Sequence, residues 1–126
     1  MSRFLKAFND YDLPMFWVFF DSEATVFFPE TPNAISPKRL KGSDVEAAWR
    51  ALFETGKKIS GRTKPPYKNT TAQDLLVDHV SNDVAVVTFH LGTDASIGRR
   101  TFVWKHSPSG WKIVHLHASN LTVASR

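Results

Sequence analysis

Apolar positions in this chain recur first at helical and later at strand spacing. Phe4, Leu5 and Phe8 predict a short helix over residues 2 to about 9, and Asp12 ahead of Leu13 and Pro14 predicts a capped second helix to about Phe20. Ala24, Thr25, Val26, Phe27 and Phe28 are β-branched or aromatic and predict a buried strand that Pro29 stops. Residues 29–42 carry three prolines and no period, which predicts a loop. A capping box at Ser43 to Glu46 then opens a helix with Val45, Ala48, Trp49, Leu52 and Phe53 on its core side. Gly56 weakens the end of that helix, and residues 57–66 read as a basic linker.

From there the period is two. Strands are expected over residues 69–81, 83–92, 97–107 and 111–123, separated by short turns, and short turns make antiparallel hairpins. Helices first and a long meander after predict an α+β fold, a curved antiparallel sheet packed on the N-terminal helices in one domain spanning residues 1–126. Such a cone leaves an interior suited to a ligand.

The last strand carries the candidate chemistry. Strict alternation puts Trp111, Ile113, His115, His117 and Ser119 on one face. His115 and His117 are the candidate acid–base pair, since imidazole titrates near neutrality. Register decides their company. With Trp104 opposite Ile113, Phe102 faces His115 and Arg100 faces His117, an anion site; with an odd or bulged turn, Arg100 leaves that face and Thr101 and Val103 replace it. Trp104, Arg100, Phe102, Tyr11, Trp17 and Ser119 complete the expected ligand contacts. Asp10 and Asp12 flank Tyr11, and Asp74 and Asp78 share a strand face, but capping and solvation account for them. His79, His90 and His106 have no paired spacing, so no metal is expected. No cofactor is expected either.

Composition narrows the class. The chain has no cysteine, which excludes thiol chemistry and gives no sign of an oxidising compartment. No apolar run approaches the roughly 20 residues of a membrane span, and residues 1–4 do not open a secretory signal, so a cytoplasmic protein without membrane partners is expected. The net charge of +4 gathers in residues 38–41 and 57–64, beside Pro, Gly and Ser, as solvated loop and helix-end charge. Basic residues interleaved with exposed aromatics are missing, so nucleic acid is not an expected partner.

Residues 7–13 with Phe16, Phe19 and Phe20, the run 24–29, the helix after Gly42 and the ending 110–119 together resemble SnoaL-like proteins of the nuclear transport factor 2-like superfamily. Pro29, Glu30, Asn33, Gly42, Val103 and Trp104 are similar to the subgroup holding the association domain of calcium/calmodulin-dependent protein kinase. The resemblance implies a cone with a deep cavity, commonly paired as a homodimer through the outer sheet face. It also implies a choice of function: a small, partly apolar ligand bound in the cone, with or without isomerase, dehydratase or cyclase chemistry, or a non-catalytic oligomerisation module. The association domain places arginines where Leu91 and Phe102 stand here, so its ligand preference does not transfer. The family's first helix is longer, which leaves either a more open cone or one covered by a partner.

Overall fold

The structure is a computed structural model that describes residues 2–29, 37–92 and 96–122. In order the elements are α1 (Ser2–Asn9), α2 (Leu13–Trp17), β1 (Phe20–Phe27), β2 (Leu40–Lys41), α3 (Ser43–Ser60), β3 (Gln73–His79), β4 (Val84–Gly92), β5 (Ser96–Ser107) and β6 (Gly110–Thr122). Glu30 and Asn33, which contribute to the family resemblance, and Val123, at the expected end of the last strand, lie outside the described residues.

The six strands form one curved sheet ordered β2-β1-β6-β5-β4-β3. The three hairpins β3–β4, β4–β5 and β5–β6 are antiparallel as their short turns require. One expectation needs correction: the sheet is mixed, because β1 runs parallel to β6. Those two strands are far apart in sequence, so no turn constrains their direction.

Several boundaries shift for local reasons. Asp12 caps α2, its carboxylate accepting from the Met15 N–H at 3.3 Å. The helix stops at Trp17, short of the expected Phe20, because Phe20 already pairs with Ile113 of β6. The N-cap of α3 is Gly42 and not Ser43, so the capping box does not form; the Gly42 N–H instead donates to Ala24 of β1 at 2.9 Å and ties the helix start to the sheet. The helix continues through Gly56 to Ser60, absorbing the first part of the expected linker. Asp74 adopts φ 54° where the β3–β4 register shifts, so Asp74 and Asp78 do not follow simple alternation.

The core lies between the helices and the concave sheet face. Phe16, Val26, Val45 and Ile113 are fully buried there, and Phe4, Phe20, Phe53, Phe89, Phe102 and Leu116 almost so. Aromatic rings mesh throughout: Phe4 meets Phe16 at 4.9 Å, Phe16 meets Trp49 at 4.8 Å, and Phe89 stacks on Phe102 at 5.4 Å. The edge strand β3 is exposed along its length, with Leu75, Leu76 and Val77 open to solvent.

Candidate functional site in the cone

A β-bulge sets what faces the interior. Trp104 stands opposite Ile113, yet Val103 stands opposite His115, so Val114 is an extra residue on β6. Beyond it the alternation is inverted. Phe102 pairs with Leu116 and Arg100 with Ala118, all facing the cone, while Thr101 pairs with His117 and Val103 with His115 on the outside. Strict alternation across Trp111 to Ser119 therefore fails at Val114. The bulged register is the one realised, and it separates Arg100 from both histidines.

The histidines line the outer sheet face with Thr25 and Phe27 of β1. His115 Nδ1 lies 2.7 Å from Thr25 Oγ1, and His117 is exposed with its ring 5.2 Å from that of Phe27. Burial, chiefly, and then the neighbouring His117 lower the proton affinity of His115. Ser119 shares this face, although its backbone carbonyl reaches Arg100. Neither Trp104 nor Trp17 lines the cavity. Trp104 packs edge-on to Phe4 and Phe19, and Trp17 stacks on Phe20 at 5.1 Å. Trp111 packs against His106 at the far end of the sheet, 5.2 Å between rings.

Inside the cone is a cavity of about 210 Å³, walled largely by aromatic and aliphatic side chains from α1, α3, β4, β5 and β6. Phe102, Tyr11 and Arg100 line it, and Leu91 adds to its apolar wall. Trp49 contributes as well, with an indole N–H that is buried and without a partner.

Two cations stand where this cavity meets a more polar outer groove: Arg100 and Lys68 line both. Arg100 Nη1 donates to the carbonyls of Arg99 and Ser119, each at 3.1 Å, and to Asn120 Oδ1 at 3.2 Å. Gly98 makes room for this arrangement, since a Cβ there would sit 3.1 Å from both Arg100 Nη1 and Asn120 Oδ1. Lys68 was not among the residues singled out from sequence. Its position comes from α1: Asn9 accepts the Tyr67 and Lys68 backbone N–H groups at 2.8 and 3.0 Å, and its side chain binds Thr70 through both donor and acceptor atoms. The Lys68 ammonium lies 5.4 Å from the Phe8 ring centroid. Burial lowers its proton affinity, and the charge of Arg100 lowers it further. Burial lowers that of Arg100 too, though a guanidinium stays charged at neutral pH.

Among the described residues no Asp, Glu or His lines the cavity. Tyr11 lines it at the α3 side, held at φ 49° and stacked on Tyr67 at 5.6 Å. Its ring lies so close to α3 that a Cβ on Gly56 would meet it at 2.6 Å. Burial raises the Tyr11 pKa and keeps the phenol protonated. The arrangement can take an anionic group at the Arg100–Lys68 end and an apolar body deeper in.

The family model described as a SnoaL-like domain matches residues 1–124. No curated protein matches the chain in sequence. Among solved structures, a candidate dehydratase of the NTF2-like family from Streptomyces avermitilis is 18% identical at TM-score 0.71, with 98% of this chain and 91% of that one covered. The association domain of CaMKII from C. elegans is 19% identical at TM-score 0.68, covering 94% and 88%. An NTF2-like protein of unknown function from Pseudomonas putida is 21% identical at TM-score 0.71, covering 94% and 79%. At these identities the likeness is one of fold.

Proposed function

Because the chain belongs to the SnoaL-like domain family, we propose that it binds a small, partly apolar organic acid in its cone, with the anionic group against Arg100 and Lys68. The observation that carries this reading is the pairing of two cations with no acidic residue among the described lining of an otherwise apolar cavity. A half-buried guanidinium with no carboxylate partner among the described residues favours an anion from solution. The aromatic walls around Phe8, Phe89 and Phe102 suit a ring or short chain. Catalysis through His115 and His117 finds no support in the geometry, because both stand on the opposite sheet face from the cavity. Any proton transfer in the cone would fall to Lys68, with Tyr11 as donor and Arg100 holding negative charge.

Thermal-shift and calorimetric titration of 3-phenylpropionate against the uncharged 3-phenylpropanamide tests the reading. The acid is expected to bind and the amide to bind far more weakly. Equal binding of the two, or of neither, removes it.

A second reading, self-association without chemistry, rests on a different observation. No described helix covers the outer sheet face, where Phe27, Val103, Thr101, His115 and His117 lie together. A homodimer through that face would bury them, and a concentration-independent monomer in sedimentation analysis would end that reading. No described helix is long and apolar enough to cross a membrane. A cysteine-free chain suits the reducing cytoplasm, where we place the protein.

A further inference from the structure

On the footing that the cone binds an organic anion, we propose that Lys68 is a nucleophile that condenses with small carboxylate-bearing carbonyl compounds, 2-oxo acids foremost, to form a Schiff base in the cavity. Lys68 is the only amine among the described residues that line it. Lys6, by contrast, pairs with Asp10 at 2.5 Å, and that carboxylate raises its proton affinity. Lys68 has no carboxylate partner among the described residues, and it faces an apolar cavity beside a second cation. Both circumstances favour the free amine, the form that attacks a carbonyl.

Placement supports the same chemistry. The Asn9 hydrogen bonds fix the backbone at Lys68, so the amine is presented at the cavity mouth from a tethered segment. Arg100 lines both the cavity and the outer groove beside it, where it can hold the carboxylate of a 2-oxo acid while the adjacent ketone faces Lys68. The aromatic walls then receive the remainder of the molecule.

The step balances without a co-reactant. The Nζ lone pair adds to the ketone carbon, forming the C–N bond as the carbonyl π electrons move to oxygen. A proton passes from nitrogen to that oxygen, giving a carbinolamine. The hydroxyl, protonated by a donor such as the Tyr11 phenol, leaves as water, and the nitrogen lone pair completes a protonated imine. The imine draws electrons from the neighbouring C3, which eases loss of a proton there to give an enamine.

The test is reductive trapping of the full chain with phenylpyruvate and borohydride at neutral pH, followed by peptide mass mapping, with 3-phenylpropionate binding measured in parallel. A single adduct at Lys68, absent from Lys68→Arg, is the expected result, with 3-phenylpropionate binding by the wild-type chain showing that the cavity accepts the anion. Labelling spread over surface lysines such as Lys57 and Lys58, or no adduct, alongside intact 3-phenylpropionate binding overturns the Schiff-base proposal and leaves the anion reading standing. Loss of 3-phenylpropionate binding by the wild-type chain overturns both.

Discussion

Arg100 stands opposite Ala118 across the β5–β6 ladder, so its guanidinium enters the cone while His117, one residue before Ala118, points to the outer face. The extra residue Val114 creates this separation. A bulge bends its strand and re-aims the side chains beyond it, so one inserted position both curves the sheet around the cavity and selects which polar groups reach it. The cone receives Arg100, and the exterior receives the imidazoles.

The two cations should be separable from stability. Hydrogen bonds to charged groups contribute about 1.5–3 kcal/mol, so Arg100→Gln is expected to weaken 3-phenylpropionate binding roughly 10- to 100-fold. Lys68→Met should also weaken it while leaving the melting temperature unchanged or raised, since the fold disfavours that ammonium. Calorimetry and thermal melts on both variants check the pair; unaltered affinity in both would count against an anion at this end of the cavity.

His117→Ala should leave the affinity for 3-phenylpropionate unchanged, because its ring lies across the sheet from the cavity. The same titration decides the matter. A large loss of affinity would bring the histidine strand back to the ligand.

Gly56 offers a packing test with an unusual sign. An alanine in a helix interior ordinarily gains about 0.5–1 kcal/mol over glycine. Here the new methyl would lie 2.6 Å from the Tyr11 ring. Overpacking of this kind costs about 1–3 kcal/mol, so Gly56→Ala should destabilise the protein in a denaturant melt. Stabilisation would show that Tyr11 does not hold this position.

His115 gives the fold a pH dependence. Burial, with His117 and Arg39 adding to it, places its pKa below the ordinary 6.5, so the unfolded chain takes up this proton more readily than the folded one. Its contribution is therefore complete above pH 6.5 and is lost as pH falls below that value. Melting temperatures should fall on acidification through that range, less steeply in His115→Asn. Parallel curves for the two proteins would contradict the assignment.

Much of the fold was legible because it is encoded locally. Asp12, Leu13 and Pro14 carry a helix start within three residues, and the short connections before Val84 and Gly110 define their hairpins. The bulge was not legible. Val114 is as good a strand residue as its neighbours, and its displacement arises jointly from pairing with β5 and β1, where the β1 register also shifts between Phe20 and Thr25. Lys68 was missed for a related reason: what places it is Asn9, joined to Thr70 across 61 positions of sequence. Sequence periodicity reports neither contact. Phe102, Tyr11 and Arg100 line the cavity, but Arg100 was tied in the sequence to the histidines through an unbulged register, and the realised bulge puts it in the cone without them.

The central claim is that the cone takes an organic anion at Arg100 and Lys68, and the most direct measurement is a crystal structure with 3-(4-bromophenyl)propionate read through the bromine's anomalous signal. A carboxylate within hydrogen-bond distance of the Arg100 guanidinium and the Lys68 amine is expected, with bromine deep among Phe8, Trp49 and Phe53. Bromine on the outer face near His115 and His117, or an empty cone at saturating ligand, would contradict it.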